Sequence, residues 1–345
     1  MRMHLTCIGV SLLIGLVGCS SPSASSERPG QEVLMNGAGA TFPYPIYAKW
    51  FDEYHKLHAD VKINYQSIGS GGGIRQLQAG TVDFGASDSP MTDDQLKQAP
   101  AKVLHFPTVL GAVVPTYNIA AVKQDLNFTS EALAGIFLGT IKKWNDPALV
   151  KANPGVSLPA DDIVVVHRAE ASGTTFVWTD YLSKVSSDWK SRVGAGTAVN
   201  WPGGLGAKGN EGVAGLVNQT PNAIGYVELV YAIQNHMSYG KIRNAAGNLV
   251  KADLASVTAA AASATVPADF RVSITNSPGK DAYPAASFTW LLVPEKIADP
   301  AKRRVMTDFL KWMLADGQKM AEPLGYAPLP QEVAAREATA IAQIQ

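Results

Sequence analysis

An apolar run that turns, through small and hydroxyl-bearing residues, into a helix-compatible segment recurs in this chain. No other feature restricts its fold as much. The fullest case is Ile163-Val164-Val165-Val166, followed by His167-Arg168-Ala169-Glu170-Ala171-Ser172-Gly173-Thr174-Thr175-Phe176 and an apolar stretch to Leu182. The β-branched run reads as a buried strand and the outgoing segment as a helix. Ser172, Gly173 and Thr174 then stand at the helix start, where the first-turn N–H groups lack internal partners and the macrodipole is positive. Gly173 lets an anion come close to the backbone, and the two hydroxyls add donors. Arg168 offers a planar fork for two oxygens of a tetraoxyanion. A single turn of this kind is explained equally well as an ordinary N-cap beside a surface arginine.

Two similar turns lie upstream. Gly37-Ala-Gly-Ala-Thr41-Phe42-Pro43 opens an amphipathic stretch to about His58, with Pro43 suited to the first helical position. Ile68-Gly69-Ser70-Gly71-Gly72-Gly73 follows the strand-like Val61–Tyr65 and precedes Ile74–Gln78. Three such turns can point their N–H groups at one centre, and the coincidence favours a site for a small anion. Strand-like and helix-like segments keep alternating along the chain, which reads as α/β. Val82–Ser87 is a short strand, and Thr92 a helix N-cap. Val109–Tyr117 and Ala286–Val293 are long apolar strands, and Ala223–Glu228 a buried one. Asn200–Asn210 reads as a glycine-rich loop before a short helix from Glu211. Pro300–Ala315 and Gln331–Ile344 read as helices.

The chain's 345 residues are enough for two domains of ordinary size. Its formal net charge is zero, so neither a nucleic-acid nor a polybasic membrane surface is expected, and any anion specificity must be local. Arg2 and the apolar Ile8–Val17, too short for a membrane span, form a targeting segment ending in Leu16-Val17-Gly18-Cys19. That ending is similar to a bacterial lipobox. It implies a signal peptide over 1–18, lipidation (palmitate included) at Cys19, and a Ser/Pro-rich flexible tether over 19–31. Removing 1–18 leaves 28 basic residues against 29 acidic ones. Cys7 and Cys19 are the only cysteines, so the mature chain has no thiol pair for a disulfide or a cysteine metal cluster. His55 and His58 read as a solvated helix face, and neither a metal nor a cofactor is expected.

With these residues in hand, the chain resembles the PstS-type phosphate-binding proteins, the extracytoplasmic receptors of phosphate ABC transporters. Seven markers carry the resemblance in the family's order: Gly37–Pro43, Tyr65–Gly72, Val82–Asp88, Ile141–Trp144, Arg168–Thr174, Gly206–Asn210 and Ala223–Glu228. It implies a type II periplasmic-binding-protein fold, two α/β lobes joined by two crossing strands. Residues 32–115 and 286–345 would form lobe I and 116–285 lobe II. It also implies a non-enzymatic, monomeric receptor that closes over inorganic phosphate and delivers it to inner-membrane permease and ATPase subunits. By motif, Thr41 and Phe42 would supply a hydroxyl and N–H groups, and Ser70 a hydroxyl and N–H. Asp88 would be the ligand-facing carboxylate and Arg168 the cation, with Ser172, Gly173 and Thr174 completing the cage. Two departures stand out. Glu170 replaces the family's usual aspartate, the acid that orients the arginine; one methylene longer, it is expected to shift the Arg168 geometry. Gly71 replaces a frequent serine, removing one hydroxyl.

A carboxylate in an anion site is reasonable if the ligand carries a proton. Phosphate has an O–H to donate to Asp88, whereas sulfate meets it acceptor against acceptor. Arsenate shares phosphate's protons and shape, so only modest discrimination against it is expected. Asp88 also admits a plainer reading as the N-cap before Ser89-Pro90. The rival functions are a binding protein for sulfate, molybdate or tungstate, a phosphate-releasing hydrolase using Ser70 or Ser172, and a surface lipoprotein for adhesion or signalling. Neither serine sits in Gly-x-Ser-x-Gly, since positions 68 and 170 are Ile and Glu.

Overall fold

The structure is a computed structural model and describes residues 32–345. The signal segment, the lipidation site at Cys19 and the tether lie outside the described residues. Twelve strands occur in the described chain: β1 (Val33–Gly39), β2 (Val61–Ser67), β3 (Phe84–Ser87), β4 (Val103–Asn118), β5 (Asn127–Phe128), β6 (Val164–Arg168), β7 (Leu205–Ala207), β8 (Ala223–Glu228), β9 (Ser238–Tyr239), β10 (Lys241–Arg243), β11 (Leu249–Val250) and β12 (Ala286–Pro294). The helices that frame the site are α1 (Tyr44–Leu57), α2 (Ser70–Gln78), α3 (Asp93–Lys97), α4 (Ser130–Phe137), α5 (Pro147–Ala152), α6 (Gly173–Val185), α7 (Ser187–Arg192), α8 (Gly209–Gln219) and α9 (Leu229–Gln234). Three more, α10 (Leu254–Ala262), α11 (Pro300–Trp312) and α12 (Gln331–Ala340), complete the set. Among the described residues no helix is long and apolar enough to cross a membrane.

One mixed sheet runs in the order β2-β1-β3-β12-β4-β8-β6-β7, with β9 added to β4. Strand β4 organises it. Its 16 residues are almost all buried, as expected of an apolar strand covered on both faces. From Val103 to Ala112 it pairs antiparallel with β12, and from Val113 to Asn118 antiparallel with β8. The chain thus crosses from one half of the sheet to the other at Ala112–Val113, beside the start of β12. On the first side β1 lies parallel to β2 and β3; on the second, β6 lies parallel to β8 and β7. The parallel strands β1, β2, β6 and β7 are followed by helices α1, α2, α6 and α8 that pack on the sheet, so the turns at these strands' carboxyl ends gather along one rim.

Aromatic packing fixes each half. Tyr47, Trp50, Phe51, Tyr65, Phe84 and Phe309 interlock on the first side, and Phe137, Trp178, Trp201 and Tyr226 on the second. Details differ from the sequence reading. Pro43 is the N-cap of α1 rather than its first residue, and Pro45 sits in the first turn. The stretch over 200–210 is not all loop. Leu205–Ala207 pairs with β6 as an edge strand whose two glycine neighbours hide the pattern, and α8 begins at Gly209. The helix from Pro300 passes after Trp312 into a π turn over Met313–Gly317, where the Trp50 indole donates to the Gly317 carbonyl at 2.8 Å.

Candidate functional site

The turns before α1, α2, α6 and α8 meet at the rim where the two halves of the sheet face each other. Gly173, the first residue of α6, is pressed against the opposite half. A Cβ there would lie 2.6 Å from Asp88 Oδ2 and would overlap Ser70 Oγ. No side chain larger than hydrogen fits, so the helix N-terminus reaches the Ser70–Asp88 wall directly.

Asp88 follows β3 and caps no helix. Thr92 does that work for α3, accepting from the Gln95 N–H while its own N–H donates to the Gln95 side chain. Asp88 instead points into the rim. Its Oδ1 accepts from Thr289 Oγ1 at 2.8 Å, and its N–H donates to Ser70 Oγ at 3.2 Å. Burial pushes the Asp88 carboxyl up to about 7, against the opposing pull of Thr289, the Arg168 charge and Ser70. A proton at this carboxyl is therefore finely balanced near neutral pH.

Arg168 ends β6, its backbone N–H held by the Tyr226 hydroxyl at 3.2 Å. Its Nε and Nη2 both donate to Glu170 Oε1, Nε at 3.0 Å. The same oxygen accepts the Gly209 N–H of α8 at 3.0 Å. Burial raises the Glu170 carboxyl, but the hydrogen bond and charge of Arg168 outweigh it and hold the group below its usual range. One glutamate oxygen thus takes three donors, which leaves Glu170 Oε2 and Arg168 Nη1 buried without a protein partner. The longer acid holds the guanidinium by one edge and leaves a strong donor uncommitted.

The remaining predicted residues close the ring. The carbonyls of Thr41 and Phe42 accept from the hydroxyls of Tyr231 (2.6 Å) and Tyr326 (2.7 Å), which fixes that turn. Ser172 caps α6, its Oγ accepting from the Thr175 N–H at 3.2 Å. Thr41, Phe42, Ser70, Asp88, Arg168, Ser172, Gly173 and Thr174 are all buried around this rim. Gly71, where a hydroxyl is absent, donates its N–H to the Ala171 carbonyl at 3.0 Å, and a Cβ there would overlap the Ala171 methyl. A serine has no room; the position instead joins the two halves through backbone.

Asn210 was not singled out by sequence reasoning. It lies at the start of α8, fully buried, and its side chain reaches both Thr41 and Thr174. It lies within the Gly206–Asn210 marker and follows Gly209, whose φ of +75° suits glycine. His167 flanks the site with its ring stacked on Trp201 at 4.8 Å between centroids and Nδ1 3.0 Å from the Arg168 carbonyl. His55 Nδ1 lies 2.6 Å from the Val61 carbonyl oxygen. Among the described residues no three His, Cys, Asp or Glu side chains are grouped to hold a metal.

A PBP superfamily domain matches residues 23–317. A phosphate-binding protein PstS of Xylella fastidiosa (strain Temecula1) is 47% identical over 320 residues, covering 91% of this chain and 87% of the relative. The chain belongs to the PstS family. The PstS of Pasteurella multocida is 46% identical, covering 88% of each chain. The PstS of Methanocaldococcus jannaschii is 38% identical, covering 93% of this chain and 90% of its own. Among solved structures, a high affinity periplasmic phosphate-binding protein (PfluDING) bound with phosphate superposes with a TM-score of 0.71 at 22% identity, covering 90% of this chain and 93% of that one. A phosphate-binding protein from Stenotrophomonas maltophilia gives a TM-score of 0.69 at 18% identity, covering 89% and 93%. The fold of this PstS-family chain is accordingly the type II periplasmic-binding-protein fold, an α/β architecture with a mixed sheet.

Proposed function

We propose that the chain is an extracytoplasmic receptor that cages inorganic phosphate between two lobes and hands it to the permease and ATPase subunits of an ABC transporter. The observation that carries the reading is the pairing of a buried acid with a buried, partly uncommitted arginine at one rim of helix N-termini. A ring of donors alone suits any tetraoxyanion; adding Asp88 selects one that carries a proton. Phosphate fills both roles: its ionised oxygens take N–H, hydroxyl and Arg168 donors, and one proton is shared with Asp88. Sulfate brings no proton and meets the ionised carboxylate as acceptor against acceptor.

The lobes we assign are 32–115 with 286–345, and 116–285. The crossover of β4 at Ala112–Val113 beside the start of β12 supports this division. A ligand that bonds both lobes stabilises the closed form, which a permease can read. Binding without turnover fits the site, since His167 stacks on Trp201 instead of facing Ser70 or Ser172. Anchoring through a lipid at Cys19 and action as a monomer complete the proposal.

The test is a phosphate titration by calorimetry of protein stripped of carried-over phosphate, with excess sulfate as competitor. Tight binding that resists sulfate supports the reading. No binding, or full displacement by sulfate, overturns it.

A further inference from the structure

We infer that Asn210 is a positioning residue that sets the proton direction of two ligand-facing hydroxyls, committing Thr41 to donate and turning the Thr174 proton away from the amide. The inference rests on the phosphate reading above. The orientation of the Asn210 amide is fixed by a group that can only donate: the Glu228 backbone N–H approaches Oδ1 at 2.8 Å. Nδ2 therefore carries the two hydrogens. One goes to Thr41 Oγ1 at 2.8 Å and the other to Thr174 Oγ1 at 3.1 Å. Thr41 Oγ1 receives a further N–H from the Asn210 backbone at 3.3 Å.

A hydroxyl has one proton and two lone pairs. Thr41 Oγ1 has both lone pairs engaged by N–H donors and Thr174 Oγ1 has one, so each keeps its O–H to give away from the amide, and neither hydroxyl donates to a protein acceptor among the described residues. Thr41 and Thr174 come from the two sides of the rim, and both flank turns that face it. A free threonine in water chooses its rotamer and proton direction at random; here one amide makes the choice for both before the anion arrives. Such preorganised donors avoid a reorganisation cost on binding. The same amide also bridges the two halves, so the donor pair is completed only when they are together.

A double-mutant cycle on the full chain tests this, using phosphate affinity by calorimetry or, for weak variants, the phosphate-dependent rise in Tm. Asn210→Ala is expected to weaken phosphate binding by about 10- to 100-fold, the usual effect of disorganising buried hydrogen bonds. In a Thr41→Val, Thr174→Val background the same change is expected to cost less than about threefold, because no hydroxyl remains to be directed. An equal loss in both backgrounds means that Asn210 acts by shape alone and overturns the inference, as does an Asn210→Ala variant that binds like the wild type. Should Asn210→Ala fail to fold, Asn210→Asp serves. It keeps the acceptor for the Glu228 N–H but invites the hydroxyls to turn toward it, and the part of its loss that vanishes in the valine background is the hydroxyl effect. A wild-type chain that binds no phosphate fails the receptor reading instead, which the same titration shows separately.

Discussion

The two serine turns look alike in sequence and do different work. Both follow a parallel strand, both pass through glycine into a helix, and both serines are fully buried. Ser172 Oγ is the cap of its own helix and accepts the Thr175 N–H. Ser70 caps nothing: its turn begins at Gly69 with φ +87°, and its Oγ accepts from the Asp88 N–H. Around Ser172 stand Arg168, the Gly173 N-terminus and Thr174, which are donors. Around Ser70 stands Asp88, an acceptor. One wall carries positive charge and N–H groups, and the other a buried carboxylate. Under the proposed phosphate reading, two turns with one sequence signature divide between affinity and selectivity according to what each hydroxyl is already bonded to.

The largest effect is expected from stripping the donor wall of its charge. Arg168→Ala leaves Glu170 without its cation and removes the free Nη1. It should lower phosphate affinity by more than about 100-fold and cost about 3 kcal/mol of stability, measured by calorimetry and urea unfolding. If affinity survives, the donor wall works through its helix N-terminus alone.

Next comes the acid wall. The folded-state Asp88 sits near 7 against an ordinary 3.8, so between those values the native protein keeps a proton that the unfolded chain has lost. The Asp88 contribution to ligand-free stability should thus fall as pH rises through that window, by up to roughly 4 kcal/mol, while buried His105, pushed down to about 3, contributes in the opposite direction. Asp88→Asn should flatten much of this slope without removing it, because burial also raises Glu228 and Glu337. In the wild type, phosphate over sulfate selectivity should narrow below about pH 7, where a protonated Asp88 can donate to sulfate. Tm against pH and paired titrations at pH 5.5 and 8 check both. A selectivity that ignores pH would remove Asp88 from the discriminating role.

The serines themselves sharpen the contrast. Ser172→Ala loses a cap and should cost about 1 kcal/mol of stability, whereas Ser70→Ala should cost less and act mainly on affinity. Thermal unfolding without phosphate separates them; equal losses would mean that the two turns are equivalent after all. The smallest effect is expected of Glu170→Asp. Shortening the acid draws its oxygen back from the Gly209 N–H and moves the guanidinium edge, but aspartate keeps the negative charge beside Arg168. Affinity should change by less than about threefold on titration.

Much of this was legible from the chain. Strand β4, helix α6 and its cap at Ser172 follow from β-branched runs, helical spacing and Ser-Gly-Thr order, because strand burial and capping are local. The seven markers carried the family and the eight residues now found around one rim. The edge strand β7 was missed because Gly204 and Gly206 flank its exposed Leu205, giving no apolar alternation. Asp88 had two local readings, cap or site; the capping box at Thr92 removes the first, and the bond from Thr289, 201 residues away, shows how the carboxylate is held in the rim. Asn210 gave no signal of its own, since its partners Thr41 and Thr174 lie 169 and 36 residues away.

The sequence by itself determined the alternation of strands and helices, the turn chemistry and the kinds of group available to an anion, because these depend on neighbours a few residues apart. Tertiary structure alone decided which oxygen accepts, which hydroxyl must donate and how far burial lifts a carboxyl. Those properties belong to groups brought together across a sheet rim, where water is excluded and each lone pair has a specific claimant.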